Sequence, residues 1–266
     1  MSDFRKTDRE NSLQTQKNRF GNSETGTDMK NSSGLKKNGR KYAAVYSGGK
    51  DGHLALMKKT DEGAEISCLI YIDGGESHTA MYHDLCKTDI IKLHSSRMNI
   101  PLVICPALPE MKAGRMPLSE MFQYAADTAA EKYSFDAICC GTTDGDDKGS
   151  AEYFREAGRT IGIDIETPLS GLSITDILKL QTDRKVKAVI VAAENGKLPA
   201  SVLGREAGSS LARILCHLNE RGISADGNDF QTLVTDSPLF SSPVEILKTE
   251  IIKDIERAYL KITEFK

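Results

Sequence analysis

The sequence predicts an α/β fold, with a parallel-sheet nucleotide-binding domain followed by a smaller α+β substrate domain. Three observations predict it. Short apolar runs alternate with helical periodicity between residues 43 and 140, which is the pattern of crossover units in a parallel sheet. The first apolar run breaks into a glycine turn just before a helix begins. Beyond Ile165 the alternation gives way to a mixed pattern.

At 266 residues the chain is long enough to bury a core as one large domain or two small ones. Its charge is uneven. Residues 1–41 hold 10 Lys/Arg and 5 Asp/Glu, which leaves 25 against 33 for the remainder, so a basic tail precedes an acidic body. Residues 1–40 are rich in Ser, Asn, Thr, Gln, Lys and Gly, and cannot bury enough surface to offset their ordering entropy. They are expected to be a disordered basic tail. No apolar run approaches the roughly 20 residues that span a bilayer, and the N-terminus lacks the apolar core of a signal peptide, so the expected location is cytoplasmic, with no membrane partner. The six cysteines (68, 86, 105, 139, 140, 216) form no Cys-x-x-Cys pair, and several lie in strand-like runs. They read as reduced core residues, not zinc ligands. Stacking aromatics are nearly absent from the tail and the body is acidic, so no stable nucleic-acid partner is expected.

The elements follow in order. Ala43, Ala44, Val45 and Tyr46 form the first strand, and Leu54, Ala55, Leu56 and Met57 mark the helix after the turn. Ile66 to Ile72 is the second strand, ending at Asp73-Gly74-Gly75-Glu76, and a helix is expected over 84–97. Pro101 to Pro106 gives strand three. A helix over 117–133 carries the stripe Met121, Phe122, Ala125, Ala129 and Ala130 into strand four, Phe135 to Cys140. Thr167-Pro168-Leu169-Ser170-Gly171 reads as a linker, placing the domains at 41–168 and 169–266. The second half holds a helix over 173–182, a strand over Val186 to Ala193, Leu203-Gly204-Arg205, a helical run from Leu211 to Leu218, and Phe230 to Phe240. For Val244 to Ile252 and Ala258 to Phe265, periodicity does not separate helix from strand.

The turn Ser47-Gly48-Gly49-Lys50-Asp51-Gly52 suits a phosphate. Its glycines let backbone approach a ligand, the first amides of the helix lack internal acceptors, and Lys50 and the Ser47 hydroxyl add charge and a donor. Asp51 would repel a phosphate, so it either holds magnesium or caps the helix. In a parallel sheet the ligand sits beyond the C-terminal strand ends. The three polar strand-end loops at 47–52, 73–83 and 141–147 are therefore expected to converge on one crevice, with the second half closing over it. Asp144, Asp146 and Asp147 of the third loop could help bind magnesium or simply form a solvated turn. Of the loop histidines, His78, beside Thr79 at a strand end, is a better functional candidate than His83.

Ser47-Gly48-Gly49-Lys50-Asp51-Gly52 resembles the pyrophosphate loop of the ATP pyrophosphatases, the PP-loop superfamily, with Gly52 standing where that loop has its second serine. Leu203-Gly204-Arg205 and the segment from Asp226 to Phe240, ending Asp236-Ser237-Pro238-Leu239-Phe240, narrow the resemblance to the diphthine-ammonia ligases and their archaeal relatives, over residues 41–266. The family's Gly-Glu-Tyr-Glu-Thr stands here as Asn228-Asp229-Phe230-Gln231-Thr232, and its Arg-rich helix after strand four keeps only Arg155 and Arg159.

The resemblance implies a HUP-type fold and an enzyme that uses ATP and Mg2+ to join ammonia to a carboxylate, releasing AMP and pyrophosphate. It implies Ser47, Gly48, Gly49, Lys50 and Gly52 around the pyrophosphate, Asp51 on the metal, and Gly141 with Thr142 near the ribose or α-phosphate. Lys50, Asp51 and Asp229 would be catalytic. His78, Arg205 and Asp236 would serve the acyl substrate, which the family takes from diphthine on elongation factor 2. The changed second-half motif leaves open another small carboxylate, or a module that binds ATP without turning it over.

Overall fold

The structure, a computed structural model, describes residues 39–73, 88–143, 150–223 and 226–266. The expected tail falls outside them, apart from Gly39 and Arg40, as do His78, His83, Asp144, Asp146 and Asp147.

The front half is a five-stranded sheet in which every pairing is parallel, with strands β1 (Lys41–Val45), β2 (Glu65–Asp73), β3 (Leu102–Pro106), β4 (Ala137–Cys139) and β5 (Asp164–Glu166). Their order is β3-β2-β1-β4-β5. The chain steps outward from β1 to β3 and then returns to the other side of β1, so strand order reverses between β1 and β4. The helices of this half are α1 (Lys50–Asp61), α2 (Thr88–Met98), the single turn α3 (Pro109–Lys112), α4 (Leu118–Ala130) and α5 (Ser150–Ile161). The period of two in a strand sends Tyr42, Ala44, Leu69 and Tyr71 to one face and Ala43, Cys68, Ile70 and Ile72 to the other. Both faces are buried, which is why β2 reads as an unbroken apolar run. The α4 stripe of Met121, Phe122, Ala125 and Ala129 covers the second face, as its spacing requires. The buried cysteines Cys68, Cys105 and Cys140 pack there as apolar side chains and Cys139 packs on the first face, and burial pushes the Cys68 thiol up to about 12 and Cys140 to about 11.

Helix α5 and strand β5 fill the stretch that the sequence reading ran past on its way to the linker. Three-residue β5 has too little pattern of its own, and it is held by neighbours: Glu166 accepts from the Tyr42 hydroxyl (2.8 Å) and Arg40 (2.6 Å) and pairs with Lys59.

The back half is a four-stranded antiparallel sheet of order β7-β6-β9-β8, with β6 (Lys187–Glu194), β7 (Phe230–Asp236), β8 (Ile246–Lys253) and β9 (Arg257–Phe265), flanked by α6 (Ile174–Asp183) and α7 (Ser209–Glu220). The two segments whose periodicity was ambiguous are the hairpin β8–β9. Leu233 and Val234 of β7, Ile190 of β6 and Leu260 of β9 join the first sheet's Tyr42, Ala44 and Leu69 in one continuous core.

The halves also meet through the backbone. The Val234 amide donates to the Gly48 carbonyl (2.8 Å), and the Lys50 amide to Thr232 Oγ1 (3.1 Å), so the edge of β7 is docked on the β1–α1 turn. Gly48 sits at φ +82°, and a Cβ there would come within 2.8 Å of Ile91 Cδ1.

Candidate functional site

A cavity of about 490 Å³ opens beyond the C-terminal ends of β1 and β4, at the reversal of strand order. Its floor is the turn after β1 (Ser47, Gly49, Lys50, Asp51, Gly52) together with Cys140, Gly141, Thr142 and Thr143 after β4. Its opposite wall comes from the back half, through Asn228, Phe230, Gln231, Thr232 and Arg257.

Helix α1 begins at Lys50 with Gly49 as N-cap and no side-chain cap, so Asp51 is not the capping residue. The first bond across the turn is His53 N to Gly49 O (3.2 Å), and the amides of Asp51 and Gly52 have no acceptor among the described residues. These free donors, at the positive end of the helix dipole, belong to residues that line the cavity. Gly141 makes the approach close: a Cβ at 141 would overlap the Gly52 amide and lie 2.5 Å from Gly52 Cα. Only glycine lets the β4 loop pass so near the helix start.

Lys50 is only 2% exposed. Its ammonium contacts Asp51 Oδ2 at 2.9 Å and sits 4.7 Å from the centre of the Phe230 ring, a cation–π contact that holds it at the wall. Asp51 thus has one oxygen on Lys50. Its other, Oδ1, is buried with no partner among the described residues. A buried carboxylate oxygen left without a donor is costly unless a cation completes it. This donor set fits Mg2+, which takes one or two carboxylates and otherwise phosphate oxygens and water. No cluster of three or more His, Cys, Asp or Glu side chains forms a metal site among the described residues, so among them Asp51 is the residue that would hold the ion. Arg257 adds a second cation, with Nη2 donating to the Asn228 carbonyl at 3.2 Å.

Of the residues expected at the site, Ser47, Gly49, Lys50, Asp51, Gly52, Gly141 and Thr142 line this one cavity. Gly48 does not; its carbonyl is taken by Val234 and its missing side chain makes room for Ile91. Asp229 sits apart from these residues. It is 2% exposed and outside the cavity lining, its Oδ1 accepts from Lys197 Nζ (2.6 Å) and its Oδ2 from the Asp226 amide (2.7 Å). Both oxygens are occupied with holding the turn that presents Gly227 and Asn228, so Asp229 positions this wall from outside the cavity lining. Arg205 is exposed outside the cavity lining, and its side chain has no hydrogen-bond or ion-pair partner among the described residues. Asp236 pairs with Lys187 Nζ at 3.1 Å at the far end of β7.

Sequence reasoning missed two features. Phe230 and Thr232 lie in the recognised motif with nothing local to mark them as partners of Lys50, and Arg257 falls between the two segments whose periodicity does not separate helix from strand. Beneath the turn lies a buried cluster. The Tyr46 hydroxyl is 2.8 Å from His94 Nδ1 and 3.2 Å from His53 Nδ1, His53 Nε2 is 2.6 Å from Ser237 Oγ, and Phe240 packs on both rings. Burial lowers His53 to about 4 and His94 to about 3, so both are neutral at pH 7. This cluster ties α1 and α2 to the end of β7, and it explains why Ser237 and Phe240 follow that strand.

A phosphate-binding turn at the switch point of a parallel sheet, roofed by an antiparallel one, defines an α/β nucleotide-binding protein. Residues 40–142 match the family model described as the diphthamide synthase N-terminal domain, and residues 174–266 match its C-terminal domain. The chain belongs to the diphthamide synthase family, whose members are ATP-utilising enzymes of the PP-loop pyrophosphatase type. No curated protein matches it. Among solved structures it is similar to one described as a "predicted subunit of tRNA methyltransferase" from Methanocaldococcus jannaschii, at 18% identity and a TM-score of 0.39, over 75% of this chain and 98% of that one. A likeness this distant carries no argument about activity. No helix among the described residues is long and apolar enough to cross a membrane.

Proposed function

We propose that the chain is an ATP-dependent amide ligase, forming AMP and pyrophosphate as it joins ammonia to a carboxylate, with the diphthine side chain of elongation factor 2 as the acyl substrate. The observation that carries this reading is the unpartnered Oδ1 of Asp51 beside Lys50 and two free helix amides, in a cavity built by both halves of the chain. A carboxylate is a poor electrophile because its leaving group would be oxide. Attack of its oxygen on the α-phosphorus of ATP forms an acyl adenylate and expels pyrophosphate. Attack of ammonia on the acyl carbon then expels AMP and gives the amide, with a proton released to solvent. The chain's own share is positioning and charge neutralisation. The amides of Asp51 and Gly52 and the Lys50 ammonium take the pyrophosphate, while Gly141 and Thr142 lie where the α-phosphate or ribose would come. Magnesium, held by Asp51, would neutralise phosphate charge. Arg257 and Gln231 line the same cavity and would orient the acyl group in place of Asp229. Elongation factors work in the cytoplasm, which is the compartment this reading implies.

Phosphorus NMR with magnesium ATP and ammonium, with and without elongation factor 2 bearing diphthine, tests the proposal. AMP and pyrophosphate that accumulate only with the factor support it. Bound ATP that gives no AMP in either mixture overturns it in favour of a binding module, and AMP formed with a small carboxylate alone would replace the substrate.

A further inference from the structure

The two edges of the antiparallel sheet differ. The outer edge of β7 is covered by the β1–α1 turn, through the bond from Val234 to Gly48. The outer edge of β8 pairs with nothing among the described residues. Every residue from Leu247 to Lys253 is exposed, among them Leu247 (50%), Ile251 (56%) and Ile252 (39%). A long edge strand with exposed aliphatic side chains is a ready template for another strand.

The residues on that edge are complementary to themselves. Read from Glu245 to Lys253, the order is Glu-Ile-Leu-Lys-Thr-Glu-Ile-Ile-Lys. When the stretch is laid antiparallel to a second copy about Thr249, Thr249 meets Thr249 and Lys248 meets Glu250. Leu247 then meets Ile251, Ile246 meets Ile252, and Glu245 meets Lys253. Apolar residues face apolar ones and each charge faces its opposite, along the whole strand and on both sides of the axis. Directly opposed side chains of this kind are what stabilise antiparallel pairs, and like charges there destabilise them. Lys248, Glu250 and Lys253 form no ion pair within the chain among the described residues, so they are free to do this; Glu245 already pairs with Lys266 Nζ at 3.0 Å. Strand β8 has two register irregularities against β9, between Ile246 and Lys248 and between Lys248 and Thr249. They cancel, because Ile246 with Phe265 and Thr249 with Ile262 belong to the same register, and the strand stays extended past its centre.

We propose that β8 is a homodimer interface, in which two copies of this chain pair edge to edge about Thr249 into a continuous eight-stranded sheet. This pairing is isologous, so one substitution changes two symmetric contacts at once. It lies on the opposite edge of the sheet from β7, which docks on the nucleotide turn, so it leaves the cavity open.

The test is sedimentation velocity of the full chain over a dilution series, with two charge reversals and their combination. Lys248→Glu sets Glu against Glu, and Glu250→Lys sets Lys against Lys, so each variant alone should weaken self-association about tenfold or more. An equimolar mixture of the two restores both opposite-charge pairs in the mixed dimer and should recover association, as should the double variant. Circular dichroism confirms that these exposed substitutions leave the fold intact. A wild-type chain that stays monomeric throughout, single variants that dimerise as well as wild type, or a mixture that fails to recover would each overturn the proposal.

Discussion

Asp51 and Asp229 occupy corresponding places in the two halves, each acidic, each inside the stretch that marks its domain, and the structure gives them opposite situations. Asp51 stands at an open helix end, with one oxygen on Lys50 and the other buried without a partner. Asp229 is closed on both oxygens, by Lys197 and by the Asp226 amide. An acid whose valences are filled by its own chain is a fastener, and one left incomplete is a binding group. The same contrast separates the sheets: the parallel one offers the ligand backbone amides at strand ends, while the antiparallel one offers side chains from a strand and its flanking turn.

Substituting the two aspartates should separate activity from stability. Asp51→Asn keeps an oxygen for Lys50 while removing the charge of a half-buried carboxylate with one oxygen unpartnered, so we expect turnover to fall about a hundredfold or more with a melting temperature shifted by only a few degrees. Asp229→Ala leaves the Asp226 amide without its acceptor and Lys197 with Glu194 alone, at 3.5 Å. We expect a loss of about 2–3 kcal/mol, or roughly 5–10 °C in melting temperature, with the folded fraction retaining turnover within about tenfold. Steady-state AMP release and differential scanning fluorimetry on both variants decide it, and the same loss of activity from both would erase the distinction.

The histidine cluster where the halves meet sharpens the comparison through pH. Burial depresses both rings, so in the folded state they stay neutral to about 4 and about 3, whereas unfolded they take up protons below about 6.5. The unfolded state therefore binds more protons in that window. Stability is complete above about 6.5 and falls as pH drops toward 4, by up to about 1.4 kcal/mol per unit for each ring. Urea midpoints measured between these limits should show this slope, and His53→Gln should make it shallower; an unchanged slope would mean the ring is not neutral when folded.

The smallest effect concerns Gly52. Its φ lies outside the left-handed region, and a Cβ would sit 3.4 Å from the Val45 carbonyl, an ordinary contact that a side chain's first carbon tolerates. Gly52→Ser should raise stability by about 0.5 kcal/mol through helix propensity alone, read as a small rise in urea midpoint. A loss instead would show that the helix start requires glycine.

Much of the fold was legible because parallel sheets write themselves in local pattern. The unbroken apolar run of β2, the stripe of α4 and the glycine turn after β1 each carry their own period, and the motif at 47–52 placed the floor of the cavity. The wall was only partly legible. Phe230 and Thr232 lay in a recognisable segment, but nothing local tells that Phe230 faces Lys50 and Asp229 faces away; that follows from strand alternation plus a turn closed by Lys197, 32 residues upstream. Arg257 and the hairpin it belongs to gave no signal, because β8 is exposed on both faces and has no alternation to show.

The sequence by itself determined the order of elements from β1 to β4, the phosphate turn and the family, because these rest on contacts within a few residues of chain. Tertiary structure alone decided which glycine makes room for the start of α1 and which for Ile91, which aspartate is left incomplete, and which sheet edge is bare. Each of those depends on what a distant segment brings to the spot, and a buried polar group or an unpaired edge is defined by its partners, not by its own identity.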